Sequence, residues 1–387
     1  MNKSNPENIY IDNITQQINK NTEAVCGDYS LIKRTSEYTI YILCDGIGSG
    51  IKARIAATMC ASRIEALVNA KINLNDISKR IAGLMSRARK EDIPYSTFTI
   101  IKILNNGQFS VFCYENPMPL MLTGQQCLNL NTNYFTYETE IIGQSTGKLF
   151  QGDALIAFTD GISQAGLGRV PGFGWGNKNI LEYLNHLLQK QLRFDKILES
   201  VLMTVKKLSG GVFVDDTTAT LLIARKARIL NLITGPPESK SNDRKMVKDF
   251  LESDGEKIIC GSTTADIVSK YMNKKVEVLE ISPSFAKPPQ YSIEGIDIVS
   301  EGAVTLNQVY NLIEIDPDAY DESSSVSKIA KKLRASDQIN IFWGLSSNTA
   351  HSDTSFIQMG ILERKTILPL LIRKLERLDK TINVMKY

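Results

Sequence analysis

Four short stretches set acidic side chains beside glycine or hydroxyl residues: Gly27-Asp28, Asp45-Gly46-Ile47-Gly48-Ser49-Gly50, Thr159-Asp160-Gly161-Ile162 and Asp215-Asp216-Thr217-Thr218. Carboxylates, together with an exposed backbone carbonyl, are oxygen ligands for a hard cation such as Mg²⁺ or Mn²⁺. The glycines at 46, 48 and 50 let the backbone take positive φ and approach a ligand closely. Taken singly, each aspartate reads equally as a turn or capping residue. Taken together, converging carboxylates repel one another and become tolerable when cations sit between them. A binuclear Mg²⁺ or Mn²⁺ site would lower the pKa of a bridging water and deliver hydroxide to a phosphorus centre.

The elements needed to bring these residues together can be read from the apolar pattern. A β-type run over Tyr38–Leu43 ends in Asp45, and a strand through Ile32 with a turn at Lys33–Glu37 predicts a hairpin that places Asp28 beside it. Helical spacing predicts helices over Ile51–Asn69 and Leu74–Lys90, the second capped by Asn73 or Asn75. Tyr95–Leu104 and Gln108–Tyr114 flank Asn105-Asn106-Gly107 as strand, turn and strand, and Pro117–Leu122 with Gly124–Asn131 suggests another hairpin. Ala154–Thr159 is an apolar run fit for a buried strand that ends in Asp160. A glycine-punctuated loop over Gly166–Gly176 leaves Phe173 and Trp175 to pack or to gate, and helices follow at Ile180–Gln191 and Phe194–Leu208. Asp215 leads into a strand at Ala219–Ala224, while Ile9–Lys20 fits an edge strand or a short helix. Strands with two inserted helix pairs suit a two-sheet sandwich flanked by helices, its strand-end loops converging on one cleft.

Composition narrows the classes. With 387 residues, two domains are expected, and 43% hydrophobic with 22% charged residues describes an ordinary globular chain. A net charge of +3 is too small to argue for nucleic-acid or membrane partners. No apolar run approaches the roughly 18 residues of a membrane span, and Met1–Tyr10 lacks the apolar core of a signal peptide; a cytoplasmic location is the expectation. The cysteines at 26, 44, 60, 113, 127 and 260 form no C-x-x-C pair, which leaves buried reduced thiols. Only His186 and His351 are present, so a histidine-rich metal site or a Ser-His-Asp triad has little material, and hydrolytic chemistry would run on carboxylates.

In the order and separation of the four acidic stretches, residues 24–224 resemble the metal-dependent PPM-type serine/threonine phosphatases of the bacterial SpoIIE-like branch. The resemblance implies an αββα sandwich over residues 1–225 and two Mn²⁺ or Mg²⁺ ions. By it, Asp45 bridges both metals, the Gly46 carbonyl joins one, and Asp160 and Asp215 hold the other. Asp28 and Asp216 take positions behind these ligands. It further implies dephosphorylation of phosphoserine or phosphothreonine on a bacterial regulatory protein, such as a STAS-type anti-sigma-factor antagonist, by metal-activated water and without a covalent intermediate. The helices after Gly50 and from Leu74 match the elements that gate metal binding in this branch, through which a homodimer is also plausible. One part of the pattern is missing, because no lone Arg or His near the first motif stands out to grasp phosphate, and Lys33 and Arg34 read as solvated turn charges.

From residue 226 the chain changes to alternating β and α segments, which predicts a smaller α/β domain over 226–387 with a largely parallel sheet. Gly261-Ser262-Thr263-Thr264, between a strand at Lys257–Cys260 and a helix from Ala265, offers an anion site made of backbone N–H groups, helix dipole and hydroxyls, or else an ordinary Ser/Thr cap. Gly302 with Thr305, and the 346–349 loop, are weaker versions of the same idea. The domain resembles extensions attached to some SpoIIE-like phosphatases and reads as a regulatory, ligand-binding or partner-binding domain. The alternative to an active enzyme is a pseudophosphatase scaffold or sensor whose second domain binds a small anion.

Overall fold

The computed structural model describes residues 8–20, 25–48, 50–169, 174–280, 288–316, 324–346 and 360–387. Expectations for Ser49, Phe173, residues 347–349 and His351 lie outside these residues. The chain divides into two compact units, 1–226 and 227–387.

The first unit is an αββα sandwich. One antiparallel sheet has the order β1 (Ile9–Ile18), β11 (Thr217–Lys226), β10 (Ala154–Phe158), β6 (Leu120–Thr123), β7 (Gln126–Asn129). The other runs β2 (Tyr29–Arg34), β3 (Tyr38–Gly46), β4 (Ser96–Leu104), β5 (Gln108–Tyr114), β9 (Glu140–Lys148), β8 (Thr132–Tyr137). Strand alternation sorts the core into layers. Tyr41 and Leu43 of β3 face β10 and β11 through Leu155, Ala157 and Leu222. The intervening Ile40, Ile42 and Cys44 face outward onto α1 (Gly50–Asn69) and α2 (Leu74–Lys90). Short α3 (Asp160–Ser163) follows β10, and α4 (Gly176–Gln189) with α5 (Phe194–Leu208) covers the far side of the first sheet through Ile180, Leu184, Ile197 and Val201.

Residues 9–18 settle as an edge strand paired with β11 along its length. Asn73 accepts the Asp76 N–H at 2.9 Å and caps α2. Trp175 packs, buried edge-on against Tyr183 at 5.4 Å between ring centroids. The β8–β9 hairpin is an element that the pattern did not announce. The β8 segment, Thr-Asn-Tyr-Phe-Thr-Tyr, buries none of its residues fully, so it carries no apolar alternation. All six cysteines are buried and free, and no helix among the described residues is long and apolar enough to cross a membrane.

The second unit is an α/β layer structure with the strand order β14 (Glu277–Glu280), β15 (Gln290–Ser292), β16 (Ile298–Ser300), β13 (Glu256–Cys260), β12 (Ile229–Thr234), β17 (Gln338–Trp343), β18 (Thr381–Lys386). The five strands from β16 to β18 are parallel, and β14 and β15 add an antiparallel edge. α6 (Asp243–Glu252) and α7 (Ser262–Met272) cover one face through Met246, Phe250 and Val268. α8 (Ala303–Leu312), α9 (Ser325–Ala335) and α10 (Arg364–Arg377) cover the other through Leu306, Ile329 and Leu371.

Candidate active site

Both sheets of the first unit end at the acidic stretches. Asp28 precedes β2, Asp45 closes β3, Asp160 follows β10, and Asp215 and Asp216 precede β11. Asp28 is fully buried, and its Oδ2 accepts the hydroxyls of Thr159 at 2.9 Å and Thr218 at 2.6 Å. Thr159 adjoins Asp160 and Thr218 lies in the last acidic stretch, so one carboxyl ties three strand ends together. Its Oδ1 is buried without a hydrogen-bond partner among the described residues.

Burial pushes the Asp45 carboxyl far above the ordinary carboxylate range, and the charges of Asp28, Asp160 and Asp215 push it further. Burial also raises Asp28, against the lowering effect of its two threonine hydroxyls. Asp215 is raised by burial and then by Asp160. These carboxylates therefore share one electrostatic environment in which negative charges repel one another, offset in part at Asp215 by Lys20. Asp216 differs from them. It is buried, and its two oxygens accept the backbone N–H groups of Lys20 at 3.0 Å and Gly27 at 2.8 Å, which uses it to pin the chain around the site.

The glycines of the Asp45 and Asp160 stretches have a steric cause. Gly48 and Gly50 take positive φ, +116° and +63°, as loop residues free of a Cβ do. At Gly46 a Cβ would stand 2.0 Å from the Ala53 carbonyl oxygen, and at Gly161 it would stand 2.2 Å from that of Asp216. The first close approach seats α1 on the end of β3; the second seats α3 on the start of β11.

The donor chemistry, all oxygen with mutually repelling carboxylates and an orphaned Oδ1, fits a hard divalent cation. The ligand set is not drawn closed: among the described residues no three His, Cys, Asp or Glu side chains are gathered so as to hold a metal ion.

Two cations at the site went unseen in the sequence. Lys20 Nζ lies 3.7 Å from Asp215 Oδ1 and donates to the Gly48 carbonyl at 3.3 Å. Arg54 of α1 donates to the Asp28 carbonyl and lies over the Tyr29 ring, 4.7 Å from its centroid. Neither sits at a spacing that would mark it; the chain beyond β1 brings in Lys20, and α1 brings in Arg54. Lys33 and Arg34 are engaged elsewhere, Lys33 with Glu65 at 3.1 Å and Arg34 with the Ile11 carbonyl at 3.0 Å.

In the second unit, Gly261 (φ +132°) opens α7. Ser262 and Thr263 are exposed, while Thr264 is buried with its Oγ1 unpartnered among the described residues. Gly302, which opens α8, faces it: a Cβ on Gly302 would stand 3.4 Å from the Gly261 Cα. Thr305 is turned inward and hydrogen-bonded to Ser300 at 2.8 Å.

Residues 35–226 match the family model of Stage II sporulation protein E (SpoIIE). Among solved structures the chain is similar to the PP2C phosphatase domain with a fragment of the regulatory domain of the cell fate determinant SpoIIE from Bacillus subtilis. The two are 18% identical, with 56% of this chain and 64% of that chain covered and a TM-score of 0.46; the chain thus spans less than two thirds of that structure's length. It is similar also to RsbX in complex with magnesium (19% identity, 56% and 99% covered, TM-score 0.39). A third is the RsbU and RsbW domains of a Mycobacterium tuberculosis protein (13% identity, 62% and 68% covered, TM-score 0.47). No curated protein matches the chain.

Proposed function

Since residues 35–226 belong to the SpoIIE family of phosphatase domains, we propose that the first unit is a metal-dependent protein phosphatase acting on phosphoserine or phosphothreonine of a regulatory protein. The observation that carries this reading is the convergence on Asp28, where Thr159 and Thr218 bring the ends of β10 and β11 to the end of the β2–β3 hairpin. Asp45, the Gly46 carbonyl, Asp160 and Asp215 would hold two Mn²⁺ or Mg²⁺ ions. When bound, the ions supply Lewis acidity and a water acidic enough to attack phosphorus near neutral pH. Asp216 and Asp28 hold the strand ends that carry these groups. Lys20 supplies positive charge beside Asp215, and Arg54 supplies it beside the Asp28 backbone.

Gating by α1 and α2 and regulation by the second unit belong to the same proposal. α1 presents Ile51, Ile55 and Met59, each more than half exposed and one helical turn apart, on the helix that Gly46 seats at the site. Such a face suits a partner protein, or a second copy of the chain, that shifts α1. The test is phosphate release from a phosphoserine peptide by the full chain with Mn²⁺, with Mg²⁺ and with EDTA. Release under metal that stops with EDTA supports the reading; equal release with EDTA contradicts it.

The second reading is a scaffold on a phosphatase fold, with a second domain that binds a small anion. It is favoured by the open arrangement of the acidic side chains and by the lysine already beside Asp215. Metal titration calorimetry separates the two, because a scaffold binds no cation through Asp45.

A further inference from the structure

The reading of the second unit as ligand-binding can be taken to a place and a ligand class. Counted from β12, the parallel core β16-β13-β12-β17-β18 has the chain order 3-2-1-4-5. α6 and α7 lie on one face, and α8, α9 and α10 on the other. The chain leaves β12 toward β13 and leaves β17 in the opposite direction, so the connections diverge between these two strands. In open α/β sheets ligands bind in the crevice outside the carboxyl ends of the strands at such a point. Here the two loops are joined: Gly344 N–H bonds the Thr234 carbonyl at 3.0 Å and Ser346 N–H the Pro236 carbonyl at 3.1 Å.

A cavity of about 700 Å³ opens at this crevice, bounded by the loop after β12, the start of α6, the flank of α7 and Ser346. That volume falls in the range of sites for small organic ligands. Lys240, Arg244 and Lys270 line it, and among the described residues none of the three makes an ion pair. Tyr271 adds a flat apolar wall, while Glu238 and Asp243 bring two acceptor carboxylates. The loop reads Thr234-Gly235-Pro236-Pro237, without the glycine fingerprint that brings backbone N–H groups to a dinucleotide pyrophosphate. Its prolines have no N–H to offer. Phosphate must then be held by side-chain cations, as guanidinium and ammonium groups do.

We propose that the second unit binds a mononucleotide in this crevice, its phosphate on Lys240, Arg244 and Lys270 and its base against Tyr271. Asp243 and Glu238 accept hydrogen bonds from sugar hydroxyls or a base amine. This deepens the ligand-binding reading of the unit and is independent of hydrolysis by the first. It also shifts the site from the Gly261–Thr264 turn to the flank of α7, because only Thr263 of those four lines the cavity.

The experiment is calorimetric titration of the full chain with AMP, ADP, ATP and GMP, and with adenosine and inorganic phosphate as partial ligands. EDTA is present throughout, so that no metal–nucleotide complex is held by the acidic cluster of the first unit. At least one nucleotide should bind saturably, with adenosine and phosphate each weaker by about ten-fold or more. Lys240→Ala with Arg244→Ala should weaken it by a similar factor, and Tyr271→Ala should weaken the nucleotide while leaving phosphate unchanged. These side chains are exposed, so the variants should melt with the parent protein. The proposal is overturned by absence of nucleotide binding at millimolar concentration, by affinity unchanged in the double variant, or by phosphate binding as tightly as any nucleotide. Metal-dependent phosphate release reports separately on the first unit, so either reading can fail alone.

Discussion

Lys20 Nζ stands 3.7 Å from Asp215 Oδ1, and the backbone N–H of the same lysine is bound by Asp216 at 3.0 Å. One residue just beyond β1 is thus tied to both aspartates of the last acidic stretch, by its ammonium to one and by its main chain to the other. An ammonium beside a proposed ligand competes with a metal ion for the same charge. In Lys20→Met the metal concentration for half-maximal activity should fall by about two- to five-fold, the worth of a partly exposed ion pair. A rise instead, measured by Mn²⁺ titration of activity, would show that Lys20 assists the site rather than competing for it.

The neighbouring aspartates should separate cleanly. Asp216→Ala strips the acceptor from two backbone N–H groups and should cost about 2–4 kcal/mol in urea unfolding of the metal-free protein. Asp215→Asn removes a partly exposed charge from a repulsive cluster, so its metal-free stability should hold or rise while calorimetric metal affinity drops. Exchange of these two outcomes would reverse the roles assigned to the pair.

Without metal, the acidic cluster should make stability fall with rising pH. Asp28 and Asp45 have carboxyl pKa values raised in the folded state, so the folded chain holds protons that the unfolded chain has released. The stabilisation from those protons is full below about pH 4 and is lost as pH rises through the folded value, about 7 for Asp28. Thermal melts in EDTA should show this decline, and Asp45→Asn should flatten it. A melting temperature that climbs across the same window would contradict the repulsive cluster.

The glycines of the Asp-Gly pairs make a steric prediction. Gly161→Ala places a methyl against the Asp216 carbonyl and should destabilise by about 1–3 kcal/mol through overpacking. Its metal affinity should fall as well, because the start of β11 must move. Stability like that of the parent in urea unfolding would mean that α3 can shift freely.

Much of this was legible in the sequence because the site is built from local signals. Asp45 and Asp160 each terminate a continuous apolar strand, and Asp215 directly precedes one, so reading the strands placed the acids. The sandwich was read from strands with two inserted helix pairs, and in the fold Tyr41 and Leu43 face one layer while Ile40, Ile42 and Cys44 face the other. Lys20 and Arg54 were not legible, since Lys20 is far from Asp215 in sequence and Arg54 reads as one more polar position on α1. Residues 132–148 were missed because β8 is a half-exposed strand without apolar alternation. The cations of the crevice in the second unit also escaped, because Lys240 lies in the turn before α6, Arg244 on α6 and Lys270 on α7, where each reads as an ordinary solvated charge. Only the strand order brings them to one place.

The central claim rests on Asp45 as the carboxylate that commits the site to metal. Its most direct test is p-nitrophenyl phosphate turnover by the full chain across a Mn²⁺ titration, parent against Asp45→Asn. The account predicts saturable metal-dependent turnover that drops by a factor on the order of a hundred or more in the variant. Turnover that persists in EDTA, or that survives the Asp45→Asn change undiminished, would contradict it.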